Sequence, residues 1–111
     1  MVKITIVYPR TAGARFDMEY YLQTHMPRSI GWLRTHPGFR GVSVERGVAG
    51  AEPGSEAPFV AVCQFLFATL EDFIAAFTPH AAALQADIAV YTNIAPVIQI
   101  SAVEITEGRA G

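Results

Sequence analysis

The sequence predicts a small α+β domain with the element order β-α-β-β-α-β and a four-stranded antiparallel sheet. Three observations carry this. Four segments are rich in β-branched and aromatic residues, at 2–8, 39–48, 59–68 and 96–105. Two others, after the first and third of these, repeat apolar residues at helical spacing. The 111 residues are one domain's length, and such a chain buries roughly 65% of its unfolded surface, enough for a core without disulfides or metals.

Residues 2–8, VKITIVY, read as the first strand, and 9–13, with Pro9 and Gly13, as a turn. Residues 17 to about 36 read as a helix. Asp17 suits the N-cap, and Phe16 before it meets Tyr21 as a hydrophobic staple. At about 100° per residue, Met18, Tyr21, Leu22, His25, Met26, Ser29, Trp32 and Leu33 share one face, with Glu19, Gln23 and Arg34 opposite. Pro27 withholds a backbone donor and crowds the preceding turn, so a kink is expected near His25 and Met26. Pro37-Gly38 ends the segment. Residues 39–48 alternate as the second strand. Residues 49–58, with Gly, Pro, Ser and two Glu, read as a mobile loop inside a single domain spanning 1–111. The third strand, 59–68, leads to Thr69, a helix cap with Asp72 three residues on. Leu70, Phe73, Phe77, His80 and Leu84 share a face, and Pro79 is expected to split this helix. Residues 86–93 read as irregular or a short strand, and 96–105 as the last strand.

This order is the split βαβ, or ferredoxin-like, plan, in which one sheet face packs on two helices and the other stays open. An open face calls for alternation along each strand. The third strand, FVAVCQFLF, is apolar in both phases instead. Hydrophobic residues make up 51% of the chain and charged ones 16%, against a usual charged share of about 25%. Both facts are met if two copies pack sheet on sheet as a homodimer. The net charge of -2, from 8 basic and 10 acidic side chains, excludes a nucleic-acid binder. No apolar run is read as reaching the ~20 residues of a membrane span. The opening MVKITIVYPR lacks the features of a signal peptide, so the expected location is cytoplasmic. The single cysteine, Cys63, excludes a disulfide framework. His25, His36 and His80 lack metal-ligand spacing, and there is no GxGxxG or P-loop, so neither metal nor organic cofactor is expected.

Three pieces of the chain together resemble the EthD family, within the dimeric α+β barrel superfamily of ferredoxin-like domains. They are ITIVYPR with FDMEYYLQTHMP, which sets aromatic residues one turn before an HxP; FVAVCQFLFATLEDFIAAF; and ADIAVYTNIAPVIQI. The resemblance implies a homodimer with an apolar pocket between each sheet and its helices. It also implies relatives tied to ether degradation, and others acting on polyketides or aromatic lactones without metal or cofactor.

His25 is the first candidate for chemistry. It lies mid-face on an apolar stripe, imidazole is the natural acid or base near neutrality, and burial favours its neutral form. The plainer alternative is a core histidine satisfied by backbone or by Ser29. Phase turns Tyr21 rather than Tyr20 inward, with its hydroxyl available to a ligand oxygen or enolate; plain packing is the alternative. Met18, Ser29 and Trp32 share the stripe and are candidate ligand contacts. Tyr91 and Asn93 stand before the last strand, where polar groups can orient a ligand or make a turn. Asp87 reads as structural, with orientation of His25 as a further option. Cys63 reads as a small buried hydrophobe.

Three functions remain. The first is a cofactor-independent isomerase, cyclase, dehydratase or oxygenase acting on a small apolar, aromatic or lactone-bearing compound, with His25 moving a proton and Tyr21 or Asn93 holding the oxygen. The second is a non-catalytic binding or accessory protein using the same cavity. The third is a haem protein with His25 as axial ligand.

Overall fold

In the computed structural model, residues 1–108 are described. Strand β1 is Val2–Pro9, β2 Phe39–Arg46, β3 Phe59–Phe67 and β4 Val97–Ala102. Between β1 and β2 run α1 (Met18–Tyr20), a π-helical turn (Tyr21–His25) and α2 (Met26–Leu33). Between β3 and β4 run α3 (Leu70–Phe77), a 3-10 turn (Thr78–His80) and α4 (Ala81–Tyr91). The strands pair antiparallel in the order β2-β3-β1-β4, the ferredoxin-like plan that the sequence predicts.

Register decides what faces the helices. Ile4 lies between Phe65 and Ile100, and Ile6 between Cys63 and Ile98. With side chains alternating across a strand, Ile4, Ile6, Tyr8, Ala61, Cys63, Phe65 and Phe67 therefore share the helix side. All of these except half-buried Ile6 are fully buried. The opposite face mixes half-buried Val7, Val62 and Leu66 with Lys3, Thr5 and Gln64. It is thus less uniformly apolar than β3 alone implies, because β1 supplies Lys3 and Thr5 there beside Gln64 of β3.

Local signals act as expected at the caps. Asp17 Oδ1 accepts from the Tyr20 N–H at 3.0 Å, and Thr69 Oγ1 from the Asp72 N–H at 3.1 Å. The staple forms, with the Phe16 and Tyr21 rings edge to face at 5.0 Å. Pro27 is absorbed by a π turn, in which the Met26 N–H reaches back five residues to the Tyr21 carbonyl. One extra residue in that turn removes the clash a proline ring makes in a regular helix. At Pro79 the break is the short 3-10 turn.

Two expectations are corrected. Over 86–91 the chain is neither irregular nor a strand: α4 continues to Tyr91, since Ala81, Ala82, Ala83, Ala86 and Ala89 make a strong helix former around the β-branched Ile88 and Val90, and only Thr92 and Asn93 leave the helix. The helical stretch Leu70–Tyr91 is also 22 residues long with a mean hydropathy of 1.3 in its most apolar window, so by length and composition one helix is sufficient to cross a membrane. The loop between β2 and β3 is exposed over most of its length. It is tied near its end by the Arg10 Nε–H and backbone N–H, which donate to the Ala57 and Pro58 carbonyls at 2.8 and 2.9 Å.

Candidate functional site

The two helical segments do not close fully over the sheet. Between them lies a cleft of about 610 Å³, counting its open mouth. The sheet contributes Ile6, Tyr8, Cys63, Phe65 and Ile98 to its wall; the second helical segment adds Phe73, Phe77, Leu84 and Ile88. The first contributes Tyr21, His25 and Ser29. Apolar side chains thus surround a few polar groups, as in ligand sites generally.

The π turn sets the two candidate groups one above the other. The Tyr21 and His25 rings stack at 6.0 Å with 13° between planes, and both residues are buried. The Tyr21 hydroxyl is buried with no hydrogen-bond partner among the described residues. Burial, with the neighbouring Cys63 and Tyr8, pushes its pKa well up, so it stays a phenol and keeps its proton to donate. Below it, the Tyr8 and Tyr91 hydroxyls bond to each other at 2.5 Å.

His25 Nδ1 lies 2.8 Å from Asp87 Oδ2. The other carboxylate oxygen accepts from the Tyr20 hydroxyl at 2.8 Å, and Arg28 Nη2 stands 3.2 Å from Oδ2. Burial lowers the His25 pKa, only partly opposed by its bond to Asp87, so the ring is neutral at pH 7. For Asp87, burial alone would raise the pKa. The hydrogen bonds from His25 and Tyr20 and the Arg28 charge outweigh it, and the carboxyl is held below its ordinary range. Cys63, buried in the cleft wall, has its thiol pushed up to about 12, chiefly by burial, and is unreactive.

Of the residues singled out from the sequence, His25, Tyr21 and Ser29 line the cleft, and Met18, Trp32, Tyr91 and Asn93 are not among its lining residues. Met18 packs against the core edge. Trp32 stacks on His80 at 4.3 Å and carries the Arg28 guanidinium 5.3 Å from its ring centre. Tyr91 supports His25 from behind, with ring centres 4.7 Å apart. Asn93 pins the segment before α1: its Oδ1 accepts from the Arg15 N–H at 2.8 Å and its Nδ2 donates to the Gly13 carbonyl at 3.2 Å. In the sequence Asp87 reads as structural, helical phase turns Tyr20 outward and Arg28 draws no attention, yet the three meet in the structure. The available signal was a lone carboxylate in the run ALQADIAVY, where an unpaired charge is costly to bury. Among the described residues no cluster of His, Cys, Asp or Glu is able to hold a metal ion.

A sequence model described as the EthD domain matches residues 12–94. An EthD-like protein of Ralstonia eutropha is similar over 96% of this chain and 94% of its own, with 42% identity and a TM-score of 0.85. An ethyl tert-butyl ether d (EthD) family protein of Bacillus halodurans is similar over 94% and 99%, with 25% identity and a TM-score of 0.67. SnoaB, a cofactor-independent oxygenase of Streptomyces nogalater, shares the fold at 17% identity and a TM-score of 0.53, over 95% and 93% of the two chains. No curated protein matches the chain.

Proposed function

The chain belongs to the EthD family, and from that premise we propose that it binds a small apolar compound, aromatic or lactone-bearing, in the cleft between sheet and helices, and that His25 exchanges a proton with it. The observation that carries this reading is the Tyr21 hydroxyl, buried and unpartnered, on a ring that stacks beside His25 in a mostly apolar wall. An unsatisfied buried donor destabilises the free protein by about 1–3 kcal/mol, and a ligand oxygen relieves that. The compound therefore has an apolar body and one accepting oxygen placed against Tyr21. A neutral imidazole next to that oxygen is a base for a C–H or O–H made acidic by it. Isomerisation, cyclisation, dehydration and oxygenation of such a compound all begin with that proton. No metal or organic cofactor is needed for it. The fold is shared with a cofactor-independent oxygenase, a likeness of architecture and not of chemistry.

The second reading is a carrier or accessory protein, favoured by the same cleft if its ligand leaves unchanged. One variant separates the two. His25→Phe fills the space and carries no proton. With a panel of aromatic lactones and phenols screened by thermal shift, the enzyme reading expects ligand binding to persist while turnover of the active compound drops ~10²-fold or more. Unchanged turnover in His25→Phe removes His25 as the catalyst. Binding without product, in wild type and variant alike, leaves the carrier. A Soret band on titration with haemin would replace both readings with haem ligation.

A further inference from the structure

We infer that Asp87 is a positioning residue for His25: it fixes the imidazole in the tautomer that carries its proton on Nδ1, leaving the Nε2 lone pair to the cleft. The inference rests on the proposed proton transfer for its use, but its geometry stands on separate observations.

Asp87 comes from α4 and His25 from the π turn, 62 residues apart in sequence, and they meet at 2.8 Å with both side chains 8% exposed. A carboxylate only accepts, so the nitrogen it touches must be the donor. The charge on Asp87 is secured from three sides. The Tyr20 O–H donates to one oxygen; the other takes Nδ1–H and lies beside Arg28. Each oxygen thus faces a donor or a cation, and nothing in this arrangement favours a proton on the carboxyl. The other groups around the imidazole leave the assignment standing. Tyr21 and Tyr91 pack their rings against it, and Tyr8 and Cys63 share its cleft; all four are held neutral by burial.

The consequence for the step is specific. The substrate's acidic C–H or O–H bond breaks, its proton goes to Nε2, and the electron pair stays on the substrate, spread onto the oxygen that Tyr21 O–H holds. The imidazolium so formed is stabilised by the Asp87 charge already in contact with it. With the opposite tautomer, Nε2–H would face the substrate and the base would be lost.

The test is the nitrogen-15 spectrum of the His25 ring in the ligand-free protein, above the pH at which it titrates. The expected pattern is a single tautomer with Nδ1 protonated and Nε2 bare. Asp87→Ala should convert it to a mixture or to the Nε2–H form and move the imidazole titration to lower pH, since the charge favouring the imidazolium is gone. Asp87→Asn keeps an accepting oxygen, so it should restore the Nδ1–H form while the titration stays low. An Nε2–H wild type overturns the inference, and so does an Asp87→Ala protein with unchanged tautomer and titration. If Asp87→Ala does not fold, the wild-type spectrum and the Asn variant still decide. These readouts need no substrate. An Nδ1–H wild type together with unchanged turnover in His25→Phe would therefore refute the proposed chemistry while leaving the role of Asp87 intact.

Discussion

A hydroxyl without a partner is a measurable liability. Replacing Tyr21 by Phe removes the orphaned group and keeps the ring that packs on Phe16, Tyr8 and His25. The free protein should be as stable or more so by up to about 1–2 kcal/mol, while affinity for an oxygen-bearing ligand falls about tenfold. Thermal melts and ligand titrations on the same variant check both; a less stable variant with full affinity contradicts the role given to Tyr21. His25 and Asp87 set the pH response. The folded His25 binds its proton less readily than the ordinary value near 6.5. Its contribution to stability is therefore complete above 6.5 and is lost as pH falls through the lower folded value. The folded Asp87 titrates below 3.8, so its contribution is complete above 3.8 and lost as pH falls through its own lower value. The melting temperature should decline in two stages on acidification, and His25→Phe should flatten the first. An unaltered first stage in that variant would show that another group titrates there. Helical phase made Tyr21 and His25 legible in the sequence. The contact of His25 with Asp87 was not, because it joins groups 62 residues apart and no local period encodes it.

At the scale of elements, caps and strands were readable because each rests on a few neighbouring residues. Asp17, Thr69 and the β-branched content of 2–8 are such cases. The expectation of an irregular stretch or short strand at 86–93 is not met over 86–91, where the surrounding alanines carry the helix through β-branched Ile88 and Val90. Pro27 predicts a kink near His25 and Met26, and at that point the chain widens one turn into a π turn; no sequence period marks such a turn. Asn93 shows how polar residues at a strand mouth can serve the frame. Its two hydrogen bonds, with that from Thr92 Oγ1 to the Arg15 carbonyl at 2.6 Å, fasten the segment that launches the first helix. Asn93→Ala should lose about 1–2 kcal/mol of stability by denaturant titration. Ligand affinity should stay within a factor of two, since the side chain is not among the cleft's lining residues; a tenfold loss of affinity at unchanged stability would return Asn93 to the binding site. The loop at 49–58 remains the expected mobile segment, and its amides should exchange faster than those of 59–67.

At the scale of the whole molecule, the chain is more open than its mass warrants. Its accessible surface is 7055 Å², whereas the area law gives about 6,000 Å² for a monomer of 12.0 kDa. Its radius of gyration is 14.8 Å against about 13 Å for a compact chain of this length. The surplus of about 1,000 Å² is close to the ~800 Å² that one partner contributes to a standard interface. The low charge content leads to the expectation of a covered surface, and the apolar phases of β3 point to the sheet as its place. Two regions qualify: the open sheet face, with Val7, Val62 and Leu66 half-buried, and the edge strand β4, whose Val97, Ile98 and Ile100 are 55%, 59% and 48% exposed. Val97 adjoins the open face across from Val7, where a second copy facing the sheet would cover it; Ile98 and Ile100, paired with Ile6 and Ile4, lie on the helix side. We therefore expect a homodimer near 24 kDa, twice 12.0 kDa, by sedimentation at micromolar concentration. Val62→Glu tests the face. Val62 stands opposite Val7 in the middle of the sheet, and two-fold symmetry brings the new charge in from both copies. Buried without a cation, it should split the dimer into folded monomers. Ala86→Glu, on the exposed side of α4, should leave the dimer whole. If the two variants behave the other way round, the apolar outer face of the second helical segment is the interface, and the sheet face is open to solvent.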